Sequence, residues 1–341
     1  MIQPSLTVLV PSFNHVDYIG AALGSLWRQT RLPDQVIVID DGSTDGSPSV
    51  IERALAEAPA GVSCHLRVQP NRGIAATRNS LVEMADTVLV AFLDSDDSYA
   101  PTRLSHLTAA WRPGGLFFAG SGVDFINEVG GDLDAGWRAT YPQLLTQAMT
   151  FPSAGFALLR SNFLITASNY VMSRQLLERL GPFDTSLHIC QEWDMGLRAL
   201  PLVEPHFVPE PLLYYRRHRR NTSRTAGAQI ADDITQIYRK TAHWLGTETE
   251  NKWAPTPRNW PLFFKIFVRL CYSMSGRRLW EHLAAEIPLA SCVSSDLSTD
   301  MRDRDRAAAQ RILAAAREAS AREEVAVEAL FRGCYEHWAR P

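Results

Sequence analysis

Four short apolar runs near the amino terminus constrain the fold more than any other feature of this chain. Residues 6–10, 36–39, 65–68 and 88–93 are dominated by Val, Ile and Leu, and runs apolar at nearly every position suit strands buried on both faces of a parallel sheet. The stretches between them carry helical spacing. Residues 16–29 keep Ile19, Leu23, Leu26 and Trp27 on one face, and residues 73–85 do the same with Ile74, Leu81 and Met84. Strand and helix in alternation form a βαβ series, so the pattern predicts a doubly wound α/β sheet with right-handed crossovers. Loops leaving the carboxyl ends of such strands are where ligands gather. From about Leu116 the pattern becomes mixed, and Gly114, Gly115, Gly120, Gly122, Gly130, Gly131 and Gly136 read as turns and loops. After about Thr225 the chain reads as mostly helical, ending in residues 303–332, rich in Ala, Arg and Glu. Residues 1–225 are therefore expected to form one α/β domain and residues 226–341 a helical carboxyl-terminal region.

Composition removes several classes of function. A formal charge of -3 over 341 residues offers no excess of one sign for a nucleic-acid backbone or an anionic membrane. Five cysteines, widely spread and never in a Cys-x-x-Cys pair, argue against a zinc cluster and a secreted disulfide framework. The first apolar run is too short for a signal segment and follows no basic stretch, so a cytoplasmic chain is expected. Residues 261–274 are interrupted by Lys265 and Arg269 and fall short of the roughly 20 residues that span a bilayer. Peripheral contact with a membrane's cytoplasmic face remains open for this aromatic-rich region, as do packing on the first domain, an acceptor site and a homo-oligomer contact.

Three of the early strands run into polar or acidic loops. The first ends Pro11, Ser12, Phe13, Asn14; the second ends Asp40, Asp41, Gly42, Ser43; the last ends Asp94, Ser95, Asp96, Asp97. Asp40 or Asp41 could cap the helix that starts near Asp45, yet adjacent carboxylates at a strand end repel each other and point to a ligand. Three acids within four residues call for a cation to offset their repulsion. A hard divalent ion such as Mg²⁺ or Mn²⁺ takes oxygen ligands and shares them with substrate phosphates. Between these loops, Gly73 permits a tight turn before a helix whose free amides favour an anion. Arg78 lies about one and a half turns further on, placed to pair with a carboxylate or a phosphate. Farther along, Glu192 and Asp194 stand at the start of an apolar helix. A run with Arg216, Arg217, Arg219, Arg220, Arg224 and His218 contains no acid and would counter the charge of a diphosphate.

Taken in order, VPSFN, IDDGSTDGS, NRG with ATRN, FLDSDD, the turn at Gly181, Pro182, Phe183 and Asp184, QEWD, and YYRRH followed by NTS resemble glycosyltransferase family 2, nucleotide-sugar transferases with the GT-A fold. The resemblance spans residues 5–224. It implies that Pro11, Phe13 and Asp41 hold the nucleobase, with Asn14, Gly73, Arg78, Asp94, Asp96 and Arg219 completing the nucleotide-sugar site. Asp96 and Asp97 match positions that contact the ribose and a divalent ion, Mn²⁺ or Mg²⁺, and His218 resembles a histidine closing over the metal or diphosphate. Family members commonly place Asp as the base where this chain has Glu192, so Glu192 is the expected base and Asp194 its alternative. The implied reaction is an inverting, single-displacement transfer from a nucleoside-diphosphate donor, UDP by family preference, to a glycan or lipid-linked acceptor hydroxyl. Two alternatives were weighed. A sugar-1-phosphate nucleotidyltransferase would open with a Gly-rich loop, and residues 11–15 contain no Gly. A degenerate nucleotide-sugar binder would bind donor without turnover.

Overall fold

The computed structural model describes residues 3–133, 135–149, 151, 153–221 and scattered positions between 229 and 244. The chain divides into two compact units, Met1–Thr225 and Ala226–Pro341, and all strands among the described residues lie in the first. The expected helix at 303–332, the membrane-like stretch 261–274 and the aromatic residues from Trp253 onward lie outside the described residues.

The central strand β1 (Leu6–Ser12) is buried along its whole length, as the unbroken apolar run demands. It pairs in parallel with β2 (Gln35–Asp40) on one side and β4 (Leu89–Phe92) on the other. Helix α1 (Ile19–Trp27) buries Ile19, Ala22, Leu23 and Leu26, the spacing of a single helical face. With α2 (Ser47–Ala56) it packs on that side of the sheet; Leu23, Ile51, Val8, Val10 and Val36 belong to one buried cluster. Full burial of such side chains contributes roughly 1.5–3 kcal/mol each, and this core is what lets the sheet carry buried charges at its rim.

The third expected strand departs from the reading. β3 (Ser63–Val68) pairs with β2 in parallel but sits at the sheet's edge, with Cys64 and Leu66 half-buried and its other residues exposed. The reason is composition: between Ser63 and Val68 only Cys64, Leu66 and Val68 are apolar, so this strand can cover one face and not two.

Beyond β4 the sheet changes character. Its order is β3-β2-β1-β4-β7-β6-β8-β5, counting β5 (Ser98–Tyr99), β6 (Phe118–Ile126), β7 (Val171–Ser173) and β8 (His206–Arg216). β7 runs antiparallel to β4 and β6, while β8 runs parallel to β6 and antiparallel to β5. The glycine-rich stretch read as loops contains β6. Gly122 lies at a register shift against β8, where the Glu210 carbonyl oxygen would stand 2.9 Å from an added Cβ, a close backbone approach of the kind bulges create. Helices α3 (Ile74–Met84), α4 (Arg103–Ala109), α5 (Ala135–Ala148), α6 (Ala154–Arg160), α7 (Arg174–Leu180) and α8 (Gln191–Ala199) complete the first unit. Among the described residues no helix is long and apolar enough to cross a membrane.

Candidate active site

The loops after β1, β2 and β4 open onto one cavity of about 580 Å³, lined among others by Pro11, Phe13, Asp41, Arg78, Asp96 and Glu192. That volume lies within the range of small-molecule sites, roughly 300–1,000 Å³.

At the β1 and β2 end, the geometry is held by side chain to backbone bonds. Asn14 adopts φ +53, its amide donates to Ser43 Oγ at 2.8 Å, and its Oδ1 accepts from the Thr44 amide at 2.9 Å. Phe13 stands 44% exposed at the mouth, a flat surface free for stacking. Asp40 closes its own turn by accepting from Ser43 N and Oγ. Neither Asp40 nor Asp41 caps α2, since Asp45 accepts from Ser47 N and Oγ there. Asp41 instead accepts from Gln69 Nε2 at 2.8 Å and from the amides of Arg72 and Gly73, each at 2.9 Å. The two amides just ahead of α3 are thus committed to an internal anion. A carboxylate offers about four acceptor sites, so Asp41 keeps one for a ligand. Gly42 makes this packing possible: it sits at φ +82, and an added Cβ would lie 2.9 Å from the Asn71 amide nitrogen.

In the next part of the cavity Arg78 is buried and bonds Asp94 Oδ1 at 2.7 Å, the carboxylate partner rather than a phosphate. Its guanidinium lies over the Phe183 ring at 5.8 Å. Asn79, next on α3, exchanges two bonds with the Phe183 backbone, so the Gly181 to Asp184 turn serves to brace this arginine. Asp94 Oδ2 accepts from Thr166 Oγ1. Beside them Glu192, in the first turn of α8, is 6% exposed. Burial, with the Asp94 charge adding to it, pushes its carboxyl up to about 7 against the opposing pull of Arg78 and a hydrogen bond from Asn162. Asn162 and Thr166 bracket Ile165, a β-branched residue at φ +73, a conformation that costs of order 1–3 kcal/mol and collects at functional sites. Asn162 and Thr166 had no signal in the sequence that marked them. Ser12 Oγ and Arg78 Nε are buried without a hydrogen-bond partner, and both residues line the cavity.

Asp194 takes a different position. It is buried in an ion pair with Arg198 at 2.8 Å, whose other nitrogens bond the carbonyls of Leu180 and Pro182. It lines no part of the cavity, because two residues along a helix point to opposite sides.

The far end is built by β5 and β8. Their antiparallel register sets Ser98 opposite Tyr214, which brings the acidic loop beside the arginine-rich arm. Arg216 donates from its amide to Asp97 Oδ1 and from Nε to the Asp96 carbonyl. Asp97, expected on the cation, is 1% exposed and bonded also to Ser168 Oγ. Burial, together with the charges of Asp96 and Asp94, raises its carboxyl well above the ordinary range. It braces the loop from beneath. Arg219, expected at the donor, is exposed and gives its amide to Glu128; from this arginine-rich run it is Arg220 that lines the cavity.

Asp96 does face the cavity. Burial would raise it, but the His218 hydrogen bond and the facing His15 and His218 rings hold it below its usual value. His218 Nε2 lies 2.9 Å from Asp96 Oδ2, and His15 Nε2 lies 4.0 Å from the same oxygen. Among the described residues this trio is the one group whose His, Cys, Asp or Glu atoms converge within 4.8 Å. Two imidazoles and a carboxylate fit a divalent ion. His15, a lone histidine after VPSFN, was passed over in the sequence.

The sequence model described as Glycosyl transferase family 2 matches residues 7–181. An uncharacterized glycosyltransferase of Nostoc sp. is 25% identical over 67% of this chain and 69% of its own. EpsH of Bacillus subtilis, which carries a provisional glycosyltransferase name, is 26% identical over 83% of this chain and 82% of its own. Among solved structures, S. aureus TarS 1-349 in complex with UDP-GlcNAc superposes with a TM-score of 0.63 at 17% identity, covering 92% of this chain and 87% of that one. Mannosyltransferase PcManGT from Pyrobaculum calidifontis, in complex with GDP-Man and Mn²⁺, gives 0.59 at 18% identity, covering 94% and 87%. Likeness at that identity shows the shared GT-A fold, and the family match over just over half the chain shows the rest: this protein belongs to glycosyltransferase family 2.

Proposed function

We propose that the chain transfers a sugar, with inversion, from a nucleoside-diphosphate donor to a hydroxyl of a growing polysaccharide. The observation that carries the proposal is that one cavity gathers a stacking surface at Phe13, an acceptor at Asp41, a divalent-ion donor set around Asp96 and a buried carboxylate at Glu192. Phe13 covers a face of the nucleobase and the remaining acceptor site of Asp41 takes a base N–H. The unpartnered Ser12 Oγ and Arg78 Nε are available to donor oxygens. Asp96, with His15 and His218 beside it, would hold the ion, which when bound neutralises charge on the leaving diphosphate. Arg220 adds positive charge at the same end.

Glu192 takes the proton from the acceptor hydroxyl as that oxygen attacks the anomeric carbon, and the nucleoside diphosphate leaves from the opposite face. A carboxyl poised at about 7 is ionised enough at neutral pH to accept the proton and basic enough to favour its transfer. Arg78 fixes Asp94 and lowers the cost of ionising Glu192. The neighbours support the donor class, one structure carrying UDP-GlcNAc and another GDP-Man with Mn²⁺, and a relative named as a succinoglycan biosynthesis protein, ExoU of Rhizobium meliloti, supports a polysaccharide acceptor.

The test is a panel of UDP- and GDP-sugars with Mn²⁺, read first as thermal stabilisation and then as nucleotide release on adding oligosaccharide acceptors. Stabilisation by one donor, followed by a product whose anomeric proton coupling shows inversion, is the expected result. A product retaining the donor's configuration would overturn the single-displacement role of Glu192.

A further inference from the structure

A glutamate carries its carboxylate on a long, flexible stem, and a base free to wander meets a hydroxyl in no fixed geometry. Among the described residues one side chain donates a hydrogen bond to Glu192, and it is Asn162. Asn162 Nδ2 reaches Glu192 Oε1 at 3.0 Å and the Ile165 carbonyl at 3.4 Å, so both of its N–H groups are spent. Turned over, the amide would set its oxygen against that carboxylate and that carbonyl, acceptor against acceptor. Its neighbours therefore fix its orientation. At its other end Asn162 Oδ1 is buried without a hydrogen-bond partner among the described residues, an arrangement that a residue serving the fold alone has no reason to keep.

Asn162 is itself held. Its carbonyl accepts from the Ile165 amide at 3.3 Å, Asn169 Nδ2 holds the Leu164 carbonyl at 3.0 Å, and Thr166 Oγ1 is tied to Asp94. These bonds close the turn in which Ile165 takes φ +73, and such a conformation persists only where its surroundings over-determine it. The turn delivers one side chain to Glu192 and another to the acidic loop. We infer that Asn162 is a positioning residue, which holds one oxygen of the Glu192 carboxylate so that the other meets the acceptor hydroxyl. This deepens the proposed function and rests on its reading of Glu192 as the base. The charged and titratable groups facing Glu192 are Arg78 on α3, Asp94 after β4 and Tyr170 just ahead of β7, and a substitution at Asn162 leaves all three in place.

The experiment is a carbon-13 NMR titration of the full chain labelled at the glutamate δ-carbon, with the Glu192 signal assigned by its loss in Glu192→Gln and thermal unfolding as the control for folding. A hydrogen bond to the charged form holds a carboxyl down, so Asn162→Ala should raise the Glu192 midpoint by about half to one pH unit. Asn162→Asp, which adds a like charge, should raise it further. Nucleotide release across the donor panel above, read well above the midpoint, gives the second measure. There Asn162→Ala should lower kcat about tenfold with the donor KM within about twofold. In a Glu192→Asp background, where the shorter side chain falls short of Asn162, the same change should cost less than about twofold. An unmoved midpoint, or equal losses in both backgrounds, would overturn the role of Asn162, and loss of release in Glu192→Gln would still leave Glu192 as the base. Undiminished release in Glu192→Gln, or no release from the wild type across the panel, would overturn the inference and the reading beneath it together.

Discussion

The two ends of the cavity treat their carboxylates in opposite ways. At the Arg78 end the charges are balanced within the protein: Asp94 is bonded to Arg78 and Thr166, and burial raises the Glu192 carboxyl to about 7 against the pull of Arg78. At the Asp96 end the carboxylate faces the His218 and His15 rings and the Asn221 side chain, and this group offers the donor set of a divalent ion. The first end is therefore part of what holds the fold together, and the second is where the proposed function places the cation. Substitutions should separate stability from function accordingly.

The largest effect is expected from Glu192→Gln, with turnover falling about 10²- to 10⁴-fold while donor affinity stays within about twofold. In the wild type, log kcat/KM should rise with pH and level off above about 7, because the base must be ionised and its carboxyl is raised to that value. The same shift has an opposite consequence for stability. Between its unfolded value near 4.3 and about 7, the folded chain binds more protons at Glu192 than the unfolded chain does, so this residue's contribution falls as pH rises through that window. Melting curves at pH 5 and pH 8 should show Glu192→Gln gaining on the wild type at the higher pH. Equal differences at both would break the link between burial and the base.

Next in size, Arg78→Met should destabilise the fold by about 3 kcal/mol, seen in denaturant titrations, because it takes the cation from half-buried Asp94 and from buried Glu192 beside it. Asp96→Asn should cost on the order of 10²-fold in transfer and abolish the response to Mn²⁺, with the unfolding midpoint near that of wild type. If Asp96→Asn unfolded the chain as readily as Arg78→Met, the contrast between the two ends would fail. The smallest difference lies in the arm: Arg220→Ala should raise the donor KM severalfold, and Arg219→Ala should change it by less than about twofold.

Much of this contrast is legible in the sequence. β1, β2 and β4 follow from apolar runs, and the loops after them line one cavity with Pro11, Phe13, Asp41, Asp94 and Asp96. The acidic triplet announced charge but could not divide it. Asp94, Asp96 and Asp97 take three different roles because Arg78 reaches one, His218 another, and the Arg216 amide the third, and two of those partners lie at or just past the end of β8, more than a hundred residues away. Asp194 is instructive in another way, since Arg198 four residues later was in plain view, and an acid with a base at that spacing on a helix is more simply an ion pair. His15 was missed because a single histidine in a loop carries no pattern. β3 was read as doubly buried because period alone does not say which strand lies at an edge.

The pairing of β5 with β8 has a consequence for how this arm can vary in length. Side chains alternate across a strand, so moving one residue along exchanges the faces of everything that follows. With Ser98 opposite Tyr214, the count of residues from Tyr214 to His218 acts as a ruler that delivers the imidazole to Asp96. An insertion of one residue within it turns the arm over and delivers an arginine instead, whereas added residues after Asn221 leave the measure untouched. In this stretch the spacing of the chain, more than the identity of each link, is what the site depends on.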